Sequence, residues 1–424
     1  MLRERYGNDL STESTTARDH YITGVDRILG AEPDIVAAFE AAVAADPGFA
    51  LGHVGLARAR QMAADVPGAR KDIAQARSLT GGISRQEASH IDAMGLLIDG
   101  KIKLAYPAIR AHVDQYPRDV MVAQTCTGIF GLIGTSGLAG RESEQLAYTT
   151  TLVPHYGDDW WFLGQHAFAL CETGQVERAS AMVDRSLELN PRNANAAHIR
   201  SHAYYEAGDT KAGIGYLKEW LPDYHRSSML YGHLAWHIAL WELEQGNIDA
   251  MWKYVDADVR PGTSLGLPLN VLTDGASILY RAELAGEDVP TERWREISDY
   301  AKQFFPNPGF GFADVHAALA HAMCGDTESL EKIIANPAGP TADLVREYSC
   351  AYRAIAAENW AKATAHLMAS MGDHARISGS RAQRDLLVHT LLGTLLKQGC
   401  DEEARHLLAM QRPVQAGTRP VVGL

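Results

Sequence analysis

The sequence predicts an all-α protein, a solenoid of antiparallel helix pairs, and three observations support this fold class. Apolar residues recur at helical spacing, most clearly over 37–45, 181–189, 230–244 and 386–397. Runs of alternating Val, Ile and Thr, which are typical of strands, are nearly absent. Small residues and turn formers recur about every 34 residues, the length of one helix–turn–helix repeat.

The repeat is clearest around Gly174. Ala167 and Ala179 are small enough to let two paired helices approach closely. Gly174 suits a left-handed turn between these helices, and Pro191 would end the second one. The spacing therefore predicts one complete helix pair in this segment.

Similar turns follow at Gly208 and Gly246. Because each pair buries its apolar face only on its neighbours, the array must be continuous to be stable. We therefore expect a tetratricopeptide-like α-solenoid, strongly curved, whose first helices line an enclosed concave face. The expected organisation is an N-terminal extension (1–30), a single repeat domain (31–411) and a C-terminal tail (412–424), which is either loose or a strap across a neighbouring helix.

Composition and charge limit the classes of partner that we expect. The 424 residues include 39 Lys plus Arg and 52 Asp plus Glu, which gives a net charge of −13. An acidic chain without a basic cluster repels phosphate backbones, so we expect no nucleic-acid partner. No apolar run of membrane-spanning length occurs and residues 1–10 lack a signal-peptide core, so we expect no membrane association and a cytoplasmic location. A homo-oligomer is left open.

The five cysteines are far apart and form no Cys-x-x-Cys pair. This spacing argues against a disulfide framework and against a thiolate zinc site.

Two His-x-x-x-His pairs are the strongest candidate for a functional site: His198 with His202, and His233 with His237. A spacing of four residues places both imidazoles of a pair on one helix face. Each pair lies in the first helix of a repeat, and the two repeats are consecutive. The four imidazoles are therefore expected to converge.

Three roles fit such a set of histidines: a metal site, general acid–base catalysis, or a hydrogen-bonded network that fixes helix packing. The glutamate of His-Glu-x-x-His is missing, which disfavours a zincin-type protease. We therefore assign no metal ligand, leave the cofactor unknown, and interpret the histidines as an acid–base or ligand-orienting pocket.

Other polar residues are expected to join the pocket. Asp274, Ser277 and Arg281 lie on one face of a predicted helix. An Asp–Arg pair on this face has three alternative roles: a structural ion pair, orientation of a histidine, or binding of a ligand's carboxylate. The candidate catalytic residues are His202, His233, His237, His316 and Asp314. The candidate ligand-binding residues are His198, Trp161, Trp236, Asp274, Tyr280, Arg281, Gln383 and Arg384.

Ser380 is expected to cap the N-terminus of a helix. The first amides of this helix would then bind an anion. The alternative is a structural role, with the cap at Ser380 and a salt bridge at Asp385. Tryptophans near these motifs indicate either the walls of a small-molecule pocket or ordinary helix packing.

Taken together, these motifs resemble the tetratricopeptide repeat protein 38 family over about residues 37–408. The resemblance rests on the two histidine pairs and three further segments, namely Asp274 to Arg281, Phe312 to His316 and Gly379 to Asp385. It implies a closed or strongly curved helical-repeat fold and names no reaction.

The sequence departs from the family pattern at Tyr205, Glu206, Leu234 and Ala313. These departures imply fewer polar groups beside the site and a more apolar ligand.

The resulting hypothesis is binding of a small polar or amphipathic ligand, or a peptide, in a His/Asp/Arg-lined concave pocket. One alternative is a hydrolase or lyase using the same histidines, with or without a metal. The other is a protein–protein scaffold.

Overall fold

The computed structural model describes residues 2–415 and 420–424. The described chain is all-α, as predicted, with 72% of its residues in 22 helices. The β structure of the described residues is one antiparallel pairing of β1 (Leu2–Arg3) with β2 (Asp9–Leu10), in which Leu2 pairs with Leu10.

Most of the helices follow one another through short turns, and longer connections precede α8 and α15. They are α1 (Thr15–Gly30), α2 (Ile35–Ala45), α3 (Ala50–Met62), α4 (Val66–Ser78), α5 (Arg85–Ile98), α6 (Ile102–Gln115), α7 (Val120–Ala123), α8 (Arg141–Tyr156), α9 (Trp160–Glu172), α10 (Val176–Leu189), α11 (Ala194–Ala207), α12 (Thr210–Trp220), α13 (Tyr231–Glu244), α14 (Ile248–Tyr254), α15 (Pro268–Leu284), α16 (Thr291–Phe304), α17 (Gly311–Cys324), α18 (Thr327–Ala335), α19 (Ala342–Ala356), α20 (Trp360–Met371), α21 (Arg381–Leu396) and α22 (Asp401–Gln411).

The predicted turns have the expected backbone. Gly174, Gly208 and Gly246 have φ of +82°, +71° and +74°, the left-handed region that glycine enters without steric cost. Pro191 follows α10, which ends at Leu189. The turn residues therefore separate the helices of each pair where the repeat spacing indicated.

The chain divides into two compact units. Unit 1 comprises Met1–Ile133, Gln145–Ala169 and Met182–Ala196, and unit 2 comprises Gly134–Glu144, Leu170–Ala181 and Ala197–Leu424. The domain limits drawn from the sequence, 31–411 with flanking segments, stay a prediction.

Within unit 1, close helix packing depends on Phe39, whose side chain is fully buried. A Cβ at Gly24 would lie 2.7 Å from the Phe39 ring, and one at Gly55 would lie 2.2 Å from it. The ring of α2 therefore fits against glycines of α1 and α3, so these helices approach more closely than larger residues would allow.

Within unit 2, α15 packs against α13, α16, α17 and α21. Its residues from Asn270 to Ala282 are all buried, and so are those of α13 from Gly232 to Glu242. Burying a polar side chain is costly unless a partner compensates it. The polar residues of the buried helices α13 and α15 therefore indicate where a functional site lies.

The predicted tail falls partly outside the described residues, which omit 416–419. Its described part packs on unit 2: Arg412 forms a bidentate ion pair with Glu206 at 2.8 and 3.0 Å, and the Val422 amide donates to the Leu284 carbonyl at 2.8 Å. Among the described residues, no helix is long and apolar enough to cross a membrane.

Candidate metal centre

The structure brings the four predicted histidines together. His198 and His202 extend from α11, and His233 and His237 extend from α13. The Nε2 atom of His198 lies 2.8 Å from that of His202 and 3.0 Å from that of His233. One ring nitrogen from each residue lies within 4.8 Å of the other three, and all four side chains are buried.

Asp274 and Trp236 fix the orientation of His233. The Nδ1 of His233 donates to Asp274 Oδ2 at 2.7 Å, because a carboxylate can only accept. The Trp236 ring stacks on the His233 ring, with centroids 5.1 Å apart and planes 14° apart. Neutral His233 therefore carries its hydrogen on Nδ1 and presents the lone pair of Nε2 to the cluster.

Burial keeps the cluster neutral. It lowers the pKa of His202 to about 3, and the nearby His233 lowers it further. Burial and the neighbouring histidines also lower the pKa values of His198 and His237 well below the ordinary range. At neutral pH these three rings are therefore uncharged, and the neutral imidazole is the form that binds a metal ion.

Hydrogen bonds alone do not satisfy this arrangement. A ring nitrogen that carries hydrogen has no lone pair in the ring plane, so the Nε2 of His198 cannot donate to one neighbour and accept from another. Since His233 presents a lone pair, at most one of the two short contacts of His198 is a well-formed hydrogen bond. In the described residues, neither ring nitrogen of the fully buried His237 has a hydrogen-bond partner.

Arg281 provides a positive charge beside the cluster. Its Nη1 donates to the Tyr205 hydroxyl at 3.3 Å, and its Nη2 donates to the Ala382 carbonyl. Within the described residues it forms no ion pair, although it is only 4% exposed. Its charge helps to lower the pKa values of His237 and His316, so it lies near both.

Asp274 and Arg281 do not pair with each other. Asp274 orients His233, one of the roles expected for it, and Arg281 contacts Tyr205.

Two departures from the family pattern add polar groups instead of removing them. The Tyr205 hydroxyl donates to Asp385 Oδ2 at 2.8 Å, and Glu206 pairs with Arg412. Leu234 and Ala313 are fully buried apolar residues, as the sequence indicated. The expectation of an apolar surrounding therefore does not hold at Tyr205 and Glu206.

Asp314 and His316 do not act as a pair. Asp314 accepts the Gly309 amide at 2.9 Å, and burial raises its pKa to about 6. His316 hydrogen-bonds the Phe312 carbonyl through Nδ1 at 2.7 Å, and burial lowers its pKa to about 4. The Nε2 of His316 is buried without a hydrogen-bond partner among the described residues.

Gln383 and Arg384 have structural partners. Gln383 forms a capping box with Ser380 at the start of α21, as predicted for Ser380. Arg384 donates to the Gly379 carbonyl and pairs with Glu142. Asp385 pairs with Arg412 at 3.1 Å, in line with the salt bridge expected at that position.

Two aromatic residues predicted to bind the ligand pack against other aromatic side chains. Trp161 belongs to the core of unit 1, where its ring contacts Tyr156. Tyr280 packs against Trp294 and Tyr352.

The sequence reasoning missed a second cluster, in unit 1. His90, His112 and Asp119 each offer one ligand atom, and these atoms lie within 4.8 Å of one another. The three residues come from separate elements, so no short spacing in the sequence brings them together.

These features define a helical-repeat protein with a buried histidine site. No protein-family profile matches the chain. Solved structures with similar chains include a human IFIT1 dimer with PPP-AAAA, at 13% identity over 99% of this chain and 95% of that chain, with a TM-score of 0.46. They also include yeast Tom70, at 13% identity over 94% and 85% with a TM-score of 0.35. A third is the P58(IPK) TPR domain, at 13% identity over 93% and 99% with a TM-score of 0.21.

One expectation needs correction. Acidic net charge led us to exclude nucleic acid as a partner, whereas the similar IFIT1 chains are in structures with PPP-AAAA and m7Gppp-AAAA. Net charge is a sum over the whole chain, whereas binding depends on where the cations lie. A net charge of −13 therefore does not exclude a nucleic-acid partner, and we withdraw that exclusion.

Proposed function

We propose that this helical-repeat protein binds a divalent transition-metal ion through His198, His202, His233 and His237. The proposal rests on one observation: four buried imidazoles bring one ring nitrogen each to within 4.8 Å of one another. Nitrogens that share an ion at about 2.0–2.1 Å lie roughly 3.0–3.4 Å apart. The two shortest Nε2 separations, 2.8 and 3.0 Å, are close to that range.

The surroundings also suit a metal. Imidazole ligands suit zinc, copper, iron and nickel. A histidine ligand usually donates its other ring nitrogen to a carboxylate, which is how Asp274 holds His233. The proposal goes beyond our sequence-based interpretation, which assigned no metal ligand and left the cofactor unknown, because one ring nitrogen from each histidine lies within 4.8 Å of the other three.

Metal analysis of tag-free protein dialysed against Zn²⁺ tests this proposal. We expect the His202→Gln/His237→Gln variant to hold one equivalent fewer than the wild type. His321→Gln is the matched control, since His321 is a buried histidine of unit 2 bonded to Ser298. A folded double variant that holds as much metal as the wild type would refute the site.

We further infer that the ligand of this site is a small anion that uses Arg281. A buried guanidinium without a carboxylate partner is costly unless an anion compensates it. Calorimetry with oxalate and inorganic phosphate on metal-loaded protein tests this. Arg281→Gln should weaken binding at least tenfold at unchanged metal content, whereas exposed Arg226→Gln should not; equal affinities in all three proteins would contradict the inference.

The same residues support a finer assignment. Both histidine pairs, Asp274 and Arg281 carry the resemblance to the tetratricopeptide repeat protein 38 family, and we propose membership of that family on this basis.

A further inference from the structure

The second cluster lies wholly within unit 1 and is independent of the four histidines. His90 extends from α5, His112 from α6, and Asp119 immediately precedes α7. The Asp119 Oδ2 atom lies 2.8 Å from His90 Nδ1 and 3.1 Å from His112 Nε2. All three side chains are buried, with exposed fractions of 1%, 1% and 6%.

The cluster borders a cavity of about 20 Å³ with a mixed lining. Apolar residues such as Leu10 and Val25 form part of the wall, and the polar part consists of Glu4, Asn8, Asp9, Gln86, His90 and Asp119. A cavity holds a water once about 10–15 Å³ is available, so there is room for one small oxygen ligand. The Glu4 carboxylate, which accepts the Tyr6 and Asn8 amides at 2.8 and 2.9 Å, adds a second negative group at the cavity.

We propose that unit 1 holds a second divalent metal site, with His90 Nδ1, His112 Nε2 and the Asp119 carboxylate as ligands. Two histidines and one carboxylate form the three-ligand set that binds iron(II) and related ions while leaving positions open. The two nitrogen–oxygen separations, 2.8 and 3.1 Å, are close to the roughly 3 Å expected for atoms that share an ion at about 2.1 Å. All three ligand atoms lie within 4.8 Å of one another. The cavity supplies the space for water or a small oxygen ligand at an open position.

The alternative is a purely structural role, in which Asp119 accepts hydrogen bonds from both histidines and so joins three helices. Such an anchor fills the cavity with water and binds no cation. The two roles differ in metal stoichiometry, which stability measurements alone do not report.

Titration with Co²⁺ under anaerobic conditions separates the two roles. Cobalt bound to the protein absorbs visible light, so the titration reports the number of bound equivalents. Wild-type protein should bind two equivalents, one in each unit. Asp119→Asn, which preserves side-chain shape, should bind one equivalent, and so should His112→Gln.

His53→Gln is the matched control in unit 1, because His53 is buried and bonds the Pro47 carbonyl at 3.0 Å outside the cluster. It should bind both equivalents. The His202→Gln/His237→Gln variant should keep one equivalent, which Asp119→Asn added to it should remove. This comparison separates a failure of the unit 1 site from a failure of the four-histidine site.

Two results would overturn the inference. One is Asp119→Asn protein that binds as much Co²⁺ as the wild type. The other is a folded His202→Gln/His237→Gln variant that binds no Co²⁺.

Discussion

Asp274 determines which nitrogen of His233 faces the four-histidine cluster, because its carboxylate accepts the Nδ1 hydrogen at 2.7 Å. Substitution by Asn keeps the shape and removes the charge that makes the ring a better donor to a metal. We expect Asp274→Asn to bind Zn²⁺ about 10- to 100-fold more weakly, measured by competition with a chelator. Glu283→Gln, on the same helix, is the comparison, because Glu283 accepts a hydrogen bond from Trp294 Nε1 at 2.6 Å. Equal affinities for Asp274→Asn and the wild type would remove Asp274 from the site.

His321 gives a pH prediction that is independent of metal. Burial lowers its pKa to about 4 from an ordinary 6.5, although Asp326 raises it in part. Between these pH values the unfolded chain binds a proton that the folded chain does not, so stability is lost as pH falls from about 6.5 to 4.

The measurement is urea unfolding of wild type and His321→Gln at pH 7 and pH 5. The loss of unfolding free energy between these pH values should be smaller in the variant by about 2 kcal/mol. An identical loss in both proteins would show that His321 does not contribute to the pH dependence.

At the scale of the element, the turns were predictable because they depend on local backbone chemistry. Gly246 has φ of +74°, and a Cβ there would meet nothing within 4 Å. Gly246→Ala should therefore lower the unfolding free energy by about 1–2 kcal/mol through backbone strain alone.

Gly215 is the matched control for Gly246. It lies on the exposed face of α12, where a Cβ also meets nothing within 4 Å. Gly215→Ala should raise the unfolding free energy by about 0.5–1 kcal/mol, since alanine is the better helix former. Chemical denaturation of both variants checks the pair, and a stabilised Gly246→Ala protein would contradict the turn assignment.

The helix pattern also explains which site residues could be predicted. His198 and His202 are four residues apart, and α11 and α13 are corresponding helices of successive repeats, so local spacing sufficed. Trp161 and Tyr280 were misleading, because a large aromatic side chain has the same sequence signature in a pocket wall and in a core.

The cluster of His90, His112 and Asp119 in unit 1 could not be predicted from the sequence. His90 and Asp119 are brought together by the packing of α5, α6 and the start of α7, and no short motif encodes that packing. The partners of Arg384 and Asp385 were similarly hidden, since Glu142 and Arg412 are remote in sequence.

At the scale of the whole molecule, each compact unit has its own buried cluster of residue types that bind metal ions in proteins. A repeat array can carry such clusters because neighbouring helices bury their polar residues against one another and not in water. The fold therefore supplies rigid helices for both sites, and the chemistry of each depends on the few polar residues that it buries.

The central claim is that four imidazoles of unit 2 bind one metal ion. X-ray absorption spectroscopy on Zn²⁺-loaded Asp119→Asn protein tests it most directly, because that variant should retain only this site. We predict four nitrogen ligands at about 2.0–2.1 Å with the outer-shell scattering of imidazole rings. A spectrum dominated by oxygen ligands, or one with fewer than three imidazoles, would contradict the account.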